Sequence, residues 1–198
     1  MSIFKKNEYI ILASTSPRRK ELLKQLGVNF KVYPARIDES VKKGELPKEY
    51  ALRVSYEKGC YAAEKFPDKW VLAADTIVVI DGKILGKPLT RKEAKDMLKL
   101  INGKYHKVYT GFVLINLKEA RTGRKVVETE VKIKHLTESE IEWYLNSSEP
   151  FDKAGAYAIQ GIGSFLVEKI SGSYTNVVGL PLAEVVEAFK KYNAYSIF

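Results

Sequence analysis

Cysteine is nearly absent from this chain. Cys60 alone stands among 198 residues, so no internal disulfide can form. With neither a second cysteine nor a nearby histidine it outlines no zinc site and reads as a small core residue. The two histidines, His106 and His135, are too far apart for a metal-binding pattern and are expected to be non-ligands. No apolar run approaches the roughly 20 residues that span a bilayer, and the opening MSIFKKNEY lacks the apolar stretch of a secretory signal. A cytoplasmic protein with no membrane partner is therefore expected. Blocks of Lys and Arg are also missing. The net charge of +9 and pI near 9.4 suit nucleic acid, a membrane surface or a small polyanion. The cations are nevertheless scattered, Lys5-Lys6, Lys42-Lys43 and Lys190-Lys191 being only pairs, which disfavours a dedicated nucleic-acid stripe.

What is present is ordinary globular composition, 45% hydrophobic and 29% charged, enough for one domain over 1–198, alone or built as two lobes. The stretch IILASTSPRRKELL (10–23) departs from local electrostatics. Ile10 to Ala13 read as the end of a buried strand, Ser16 as an N-cap and Pro17 as the first helical residue. A capping box would place Glu or Gln at position 19, yet Arg18 and Arg19 lie there, at the positive end of the helix dipole. Each is disfavoured by roughly 0.3–1 kcal/mol unless an anion offsets it. Free amides, two guanidiniums and the Ser14 and Ser16 hydroxyls describe a phosphate seat. A solvated Arg pair on a plain cap is the competing reading.

Gly27 should end that helix, Phe30–Pro34 alternates like a short strand, and Arg36–Lys48 is a polar loop. Apolar positions at Ala51, Leu52, Val54, Ser55, Gly59 and Ala62 predict a helix over 48–65, on which Lys58 reads as a solvated side chain. Trp70–Ile80, WVLAADTIVVI, is the most apolar run and predicts a buried strand closed by the turn Asp81-Gly82. Asp75 falls in its middle. Buried aspartates are rare unless paired or metal-bound, so a metal ligand, a general base and an acceptor for a backbone bend are the open readings.

Lys83–Pro88 predicts a strand and Thr90–Leu100 a helix capped by Thr90 and ended at Asn102-Gly103. A long hairpin follows, His106–Leu117 and Lys125–His135, with its turn near Ala120–Arg124. Thr137 and Glu140 form a capping box for a helix to about Asn146. In EPFDKAGAYAIQG (149–161), Glu149, Asp152 and Lys153 make either a surface salt-bridge knot or half of a cleft facing Asp75. Phe165–Ile170 reads as a last strand, Gly172–Gly179 as a loop, and Pro181–Tyr192 as a closing helix with Leu182, Val185, Val186 and Phe189 inward.

Taken together, STSPRRKELL, AADTIVV with GKP following, HKVYTG, EPFDKAGAYAIQG and GSYTNVVGLPL occur in this order over nearly the whole chain. This series resembles the Maf family of nucleoside triphosphate pyrophosphatases. The resemblance implies a mixed α/β fold similar to that of inosine triphosphate pyrophosphatases, with a long curved mixed sheet and helices forming two lobes around a cleft. It also implies cleavage of a nucleoside triphosphate to monophosphate and pyrophosphate with a divalent cation, Mg²⁺ or Mn²⁺. By position, Asp75 matches the family's catalytic base. Ser14, Arg18, Lys58, Lys87 and Lys153 match phosphate-holding positions, and Glu39, Asp75 and Asp152 match acidic positions at the metal. Arg18, Thr76 and Gln160 match the subgroup that prefers dTTP and UTP, whereas the subgroup acting on 7-methylguanosine triphosphate tends to carry Trp and Glu at the first two. The tail Asn193–Phe198 has no assigned counterpart, and a homodimer stays open. The charge alone supports a rival expectation, a basic nucleotide- or nucleic-acid-binding module without turnover.

Overall fold

Strand formation begins where the apolar run IIL leaves the polar N-terminal residues. β1 (Ile10–Leu12) is wholly buried and pairs in parallel with β2 (Phe30–Val32) and with the start of β3 (Val71–Ile80). The computed structural model describes residues 9–195. The Lys5-Lys6 pair, most of the opening MSIFKKNEY and Ser196–Phe198 of the tail lie outside the described residues. Among the described residues no helix is long and apolar enough to cross a membrane.

Seven strands form one mixed sheet in the order β2-β1-β3-β5-β6-β7, with β4 (Lys83–Leu85) antiparallel to β3 across the Asp81-Gly82 turn. Both turn residues have positive φ, 49° and 75°, the backbone that a tight two-residue hairpin requires. β5 (Tyr105–Asn116) and β6 (Arg121–Ile133) are neighbours, and β6 pairs antiparallel with β7 (Val167–Ser171). The helices are α1 (Pro17–Gln25), α2 (Pro47–Ala63), α3 (Arg91–Ile101), α4 (Glu138–Leu145), α5 (Tyr174–Val178) and α6 (Leu182–Tyr192).

Two compact units result. The first takes residues up to Asp75, Thr110–Val126 and the segment from Gly179, and the second takes Thr76–Tyr109 and Val127–Val178. A core of Ile11, Ala13, Ala62, Ala63, Val71, Ala73, Val113 and Ile115 fills part of the first. Helix α2 lies very close to β5 there, because two glycines leave room. A Cβ on Gly59 would come 2.6 Å from Val113 Cγ1, and one on Gly111 would come 2.3 Å from the Ala51 carbonyl oxygen. In the second unit α3 and α4 cover Val78, Val108, Val131 and Ile133 with Leu98, Ile101, Ile141 and Tyr144.

Five expectations need correcting. The hairpin turn is Leu117–Ala120, earlier than read, because the Asn116 side chain accepts from the Glu119 amide (3.0 Å) and tightens the chain at once. Gly123, taken for a turn residue, sits in β6, where its missing side chain admits the Tyr192 ring. Gly172–Gly179 holds α5 rather than a plain loop. Ser173 caps it through the Asn176 amide (3.2 Å), and five residues are too few to leave a periodic signature. Finally, Phe165 belongs to a 3-10 stretch, Gly161–Leu166, ahead of β7, and Cys60 is only half-buried at the margin of its core.

Candidate active site

The first unit gathers charge around Asp75. This carboxylate is only 8% exposed in the middle of β3, and it is not left alone there. Lys58, on the α2 face that the two glycines press toward the sheet, donates from Nζ to Asp75 Oδ1 at 2.8 Å and to Glu39 Oε2 at 2.9 Å. The lysine side chain is 12% exposed, which overturns the solvated reading: it is a nearly buried cation between two carboxylates. A buried charge persists only when paired in this way.

Helix α1 begins as the sequence implies, with Ser16 as N-cap and Pro17 at its first position. Arg19, a member of the anion seat, turns inward. Its Nε donates to the Gly179 carbonyl (2.7 Å) and its Nη1 to Ser14 Oγ (3.2 Å), while the Ser14 hydroxyl also takes the Ser16 amide (3.2 Å). Burial lowers the Arg19 pKa, and the nearby Asp75 and Glu39 carboxylates oppose that shift. Arg18 is half-buried beside it. A cluster of this kind, cations and hydroxyls at a helix start with carboxylates in electrostatic reach, suits a polyanion that arrives with its own counter-cation.

Glu39 comes from the polar loop before α2, and residues that the sequence reading passed over hold that loop. Arg53 donates to both Glu45 oxygens (2.5 and 2.9 Å), to Glu57 Oε2 (3.1 Å) and to the Ser40 carbonyl (2.9 Å). Tyr50 donates to the Glu39 carbonyl at 2.7 Å. Hydrogen bonding from Arg53 pulls the Glu45 pKa down to about 2, and burial beside Asp75 and Glu39 pushes the Tyr50 phenol up to about 12. The Arg53–Glu57 spacing of four was a readable signal of an ion pair; Glu45 and Ser40 lie on a loop whose path has no periodicity to betray it.

The second unit carries the remaining expected residues. Thr76 follows Asp75 on β3 and is half-buried. Lys87 is exposed in the irregular segment after β4, and the Gly155 amide donates to the Gly86 carbonyl (3.0 Å), tying that segment to the one that bears Lys153. Lys153 pairs with its neighbour Asp152, which is 62% exposed. Glu149 joins no knot with them. Its carboxylate accepts from the Gly163 amide (2.7 Å), the Ile162 amide (3.1 Å) and the Tyr144 hydroxyl (3.0 Å). It thereby fixes the turn at whose head Gln160 stands, a half-buried residue whose amide caps nothing. Deeper in this unit, His106 Nε2 and the Tyr157 hydroxyl share a 2.7 Å hydrogen bond, and burial lowers the imidazole pKa to about 4.

Among the described residues no three His, Cys, Asp or Glu side chains form a metal cluster. The fit to a cation rests on fewer groups. Glu39 and Asp75 both reach one ammonium, so their hard oxygens already share a cation, and Mg²⁺-like ions bind through one or two carboxylates completed by substrate phosphates.

Comparison with known proteins bears on this arrangement. A family profile described as Maf-like protein matches residues 9–192. A dTTP/UTP pyrophosphatase of Syntrophus aciditrophicus is 54% identical over 183 residues, 92% of this chain and 89% of the relative. One of Clostridioides difficile is 47% identical over 189 residues, 96% and 97% of the two chains. Among solved structures, the Staphylococcus aureus Ham1 protein matches with a TM-score of 0.52 at 13% identity, over 94% of this chain and 100% of that one, a likeness of fold.

Proposed function

The chain belongs to the Maf-like protein family, and from that membership we infer that it is a nucleoside triphosphate pyrophosphatase hydrolysing dTTP and UTP. The products are the nucleoside monophosphate and pyrophosphate. One observation supports the site most: Lys58 bridging the buried Asp75 and the loop residue Glu39.

In this reading Asp75 accepts the proton of the attacking water while the water oxygen bonds to phosphorus and the α–β bridge breaks, pyrophosphate leaving with the bond's electron pair. Lys58 orients that carboxylate. Ser14 and Arg18 hold phosphate oxygens at the start of α1, with Arg19 fixing Ser14 from behind. Glu39 and Asp75 would hold a divalent cation, Mg²⁺ or Mn²⁺, which when bound neutralises charge on the phosphate oxygens. Asp152 as a further acidic ligand, and Lys87 and Lys153 as phosphate contacts, belong to the same proposal, as does a cytoplasmic setting.

Base choice is assigned to Arg18, Thr76 and Gln160. Uracil and thymine offer two carbonyl acceptors around one N–H, and an amide can answer both kinds. Cytosine replaces one acceptor with a donor and the N–H with an acceptor. A site that hydrogen-bonds one edge can reject the other by up to roughly 10⁴–10⁵.

The test incubates the pure protein with canonical and modified triphosphates plus Mg²⁺ or Mn²⁺ and resolves monophosphate from pyrophosphate. UTP and dTTP should turn over faster than CTP and dCTP, and Gln160→Glu should weaken that preference more than it slows UTP. Equal kcat/KM for UTP, CTP and GTP would refute the base assignment. No monophosphate from any substrate, with salt-sensitive binding to long DNA, would instead favour the rival binding module.

A further inference from the structure

Arg53 touches none of the residues assigned to substrate or cation, yet it governs where one of them sits. Glu39 is 50% exposed and lies in a coil with no regular backbone pairing, so neither burial nor a ladder fixes it. Two adjacent peptide carbonyls of that coil are nevertheless taken by a single helix: the Glu39 carbonyl by the Tyr50 hydroxyl (2.7 Å) and the Ser40 carbonyl by Arg53 Nη2 (2.9 Å). The same helix presents Lys58, the partner of the Glu39 side chain. Arg53 further clasps the far end of the coil through both oxygens of Glu45, whose Oε2 also accepts from the Lys42 amide (3.0 Å). Its guanidinium is thus committed to two carboxylates and a carbonyl, with its side chain 16% exposed, which is the pattern of a strut and not of a phosphate ligand.

We propose that Arg53 is a positioning residue: with Tyr50 it fastens the 38–45 loop to α2 so that the Glu39 carboxylate is delivered to Lys58 and Asp75. The planar fork is what the task requires. A lysine carries the charge but cannot hold two oxygens of Glu45 and the Ser40 carbonyl at fixed angles. This inference rests on the assignment of Glu39 to the site.

The experiment combines two readouts on the full chain. Hydrogen exchange of the 36–46 segment is followed without substrate in the wild type, Arg53→Lys and Tyr50→Phe. Then kcat/KM for UTP is measured for the wild type, Arg53→Lys, Tyr50→Phe, Glu39→Gln and the double variant Arg53→Lys/Glu39→Gln. The loop should exchange faster in both strut variants, with kcat/KM down about 10-fold or more in Arg53→Lys, as small misplacements of site groups cost such factors. In the double variant the loss should equal that of Glu39→Gln alone, since an arm that carries nothing has nothing to position. Losses that multiply in the double variant, or a normal kcat/KM in Arg53→Lys despite a freed loop, would overturn the proposal. Wild-type activity in Glu39→Gln would instead remove the site assignment beneath it, a separate failure. If Arg53→Lys folds poorly, Tyr50→Phe decides by the same criteria, having removed one hydrogen bond and no charge.

Discussion

Asp75 is the base assigned in the proposed function, and its replacement is the most direct probe of that assignment. Asp75→Asn keeps the shape and leaves Lys58 paired with Glu39. It should lower kcat by on the order of 10²-fold or more while the melting temperature holds. Near-normal turnover would make the buried carboxylate structural, and a Mn²⁺ titration of the variant separates a lost ligand from a lost base. The residue was legible in the sequence because an aspartate inside an apolar strand is costly wherever it occurs. Lys58 was legible only through the family resemblance, since a lysine on an amphipathic helix looks the same whether it meets water or a carboxylate. His106 offers a second test at this scale. Burial holds its pKa near 4, below the roughly 6.5 of an unfolded histidine, so the folded state takes up its proton late. Stability from this group is complete above about pH 6.5 and falls as pH drops through 4. By NMR the imidazole should show no titration above about pH 5; a midpoint near 6.5 would contradict its burial against Tyr157.

Among the elements, α2 is the one whose placement matters most, because it carries Lys58, Arg53 and Tyr50 together. Its seat depends on Gly111, where an added Cβ would meet backbone, the Ala51 oxygen at 2.3 Å and the Leu52 nitrogen at 2.9 Å. Backbone cannot swing aside as a side chain can. Gly111→Ala should therefore cost at least the 1–3 kcal/mol typical of overpacking, roughly 2–4 °C of melting temperature for each kcal/mol. Gly86→Ala, which meets nothing within 4 Å, should stay within about 0.5 kcal/mol. Equal losses in a thermal melt would refute the close approach. Helices and long strands were readable from periodicity and caps: Thr90 accepts from the Glu93 amide (3.1 Å), and Thr137 and Glu140 form their box as expected. The misread pieces, α5 and the turn after β5, are set by backbone amides that donate to the side chains of Ser173 and Asn116, which composition does not announce.

For the whole molecule, family and activity were legible because ordered motifs run the length of the chain, whereas the net charge of +9 by itself pointed equally well to other partners. Two lobes were expected, but the boundaries of the units were not legible, since neither unit is continuous in sequence. That discontinuity bears on biosynthesis. The second unit is complete once Val178 has been translated, but the first still lacks Gly179, whose carbonyl holds Arg19 across 160 positions, and Tyr192, whose ring lies 6.0 Å from that of Trp70 and fills the space over Gly123. At about 5–20 residues per second, the unit that began first must wait on the order of seconds longer to close. Until then the unit that carries Lys58, Asp75 and Glu39 is the one left open to chaperones and proteases.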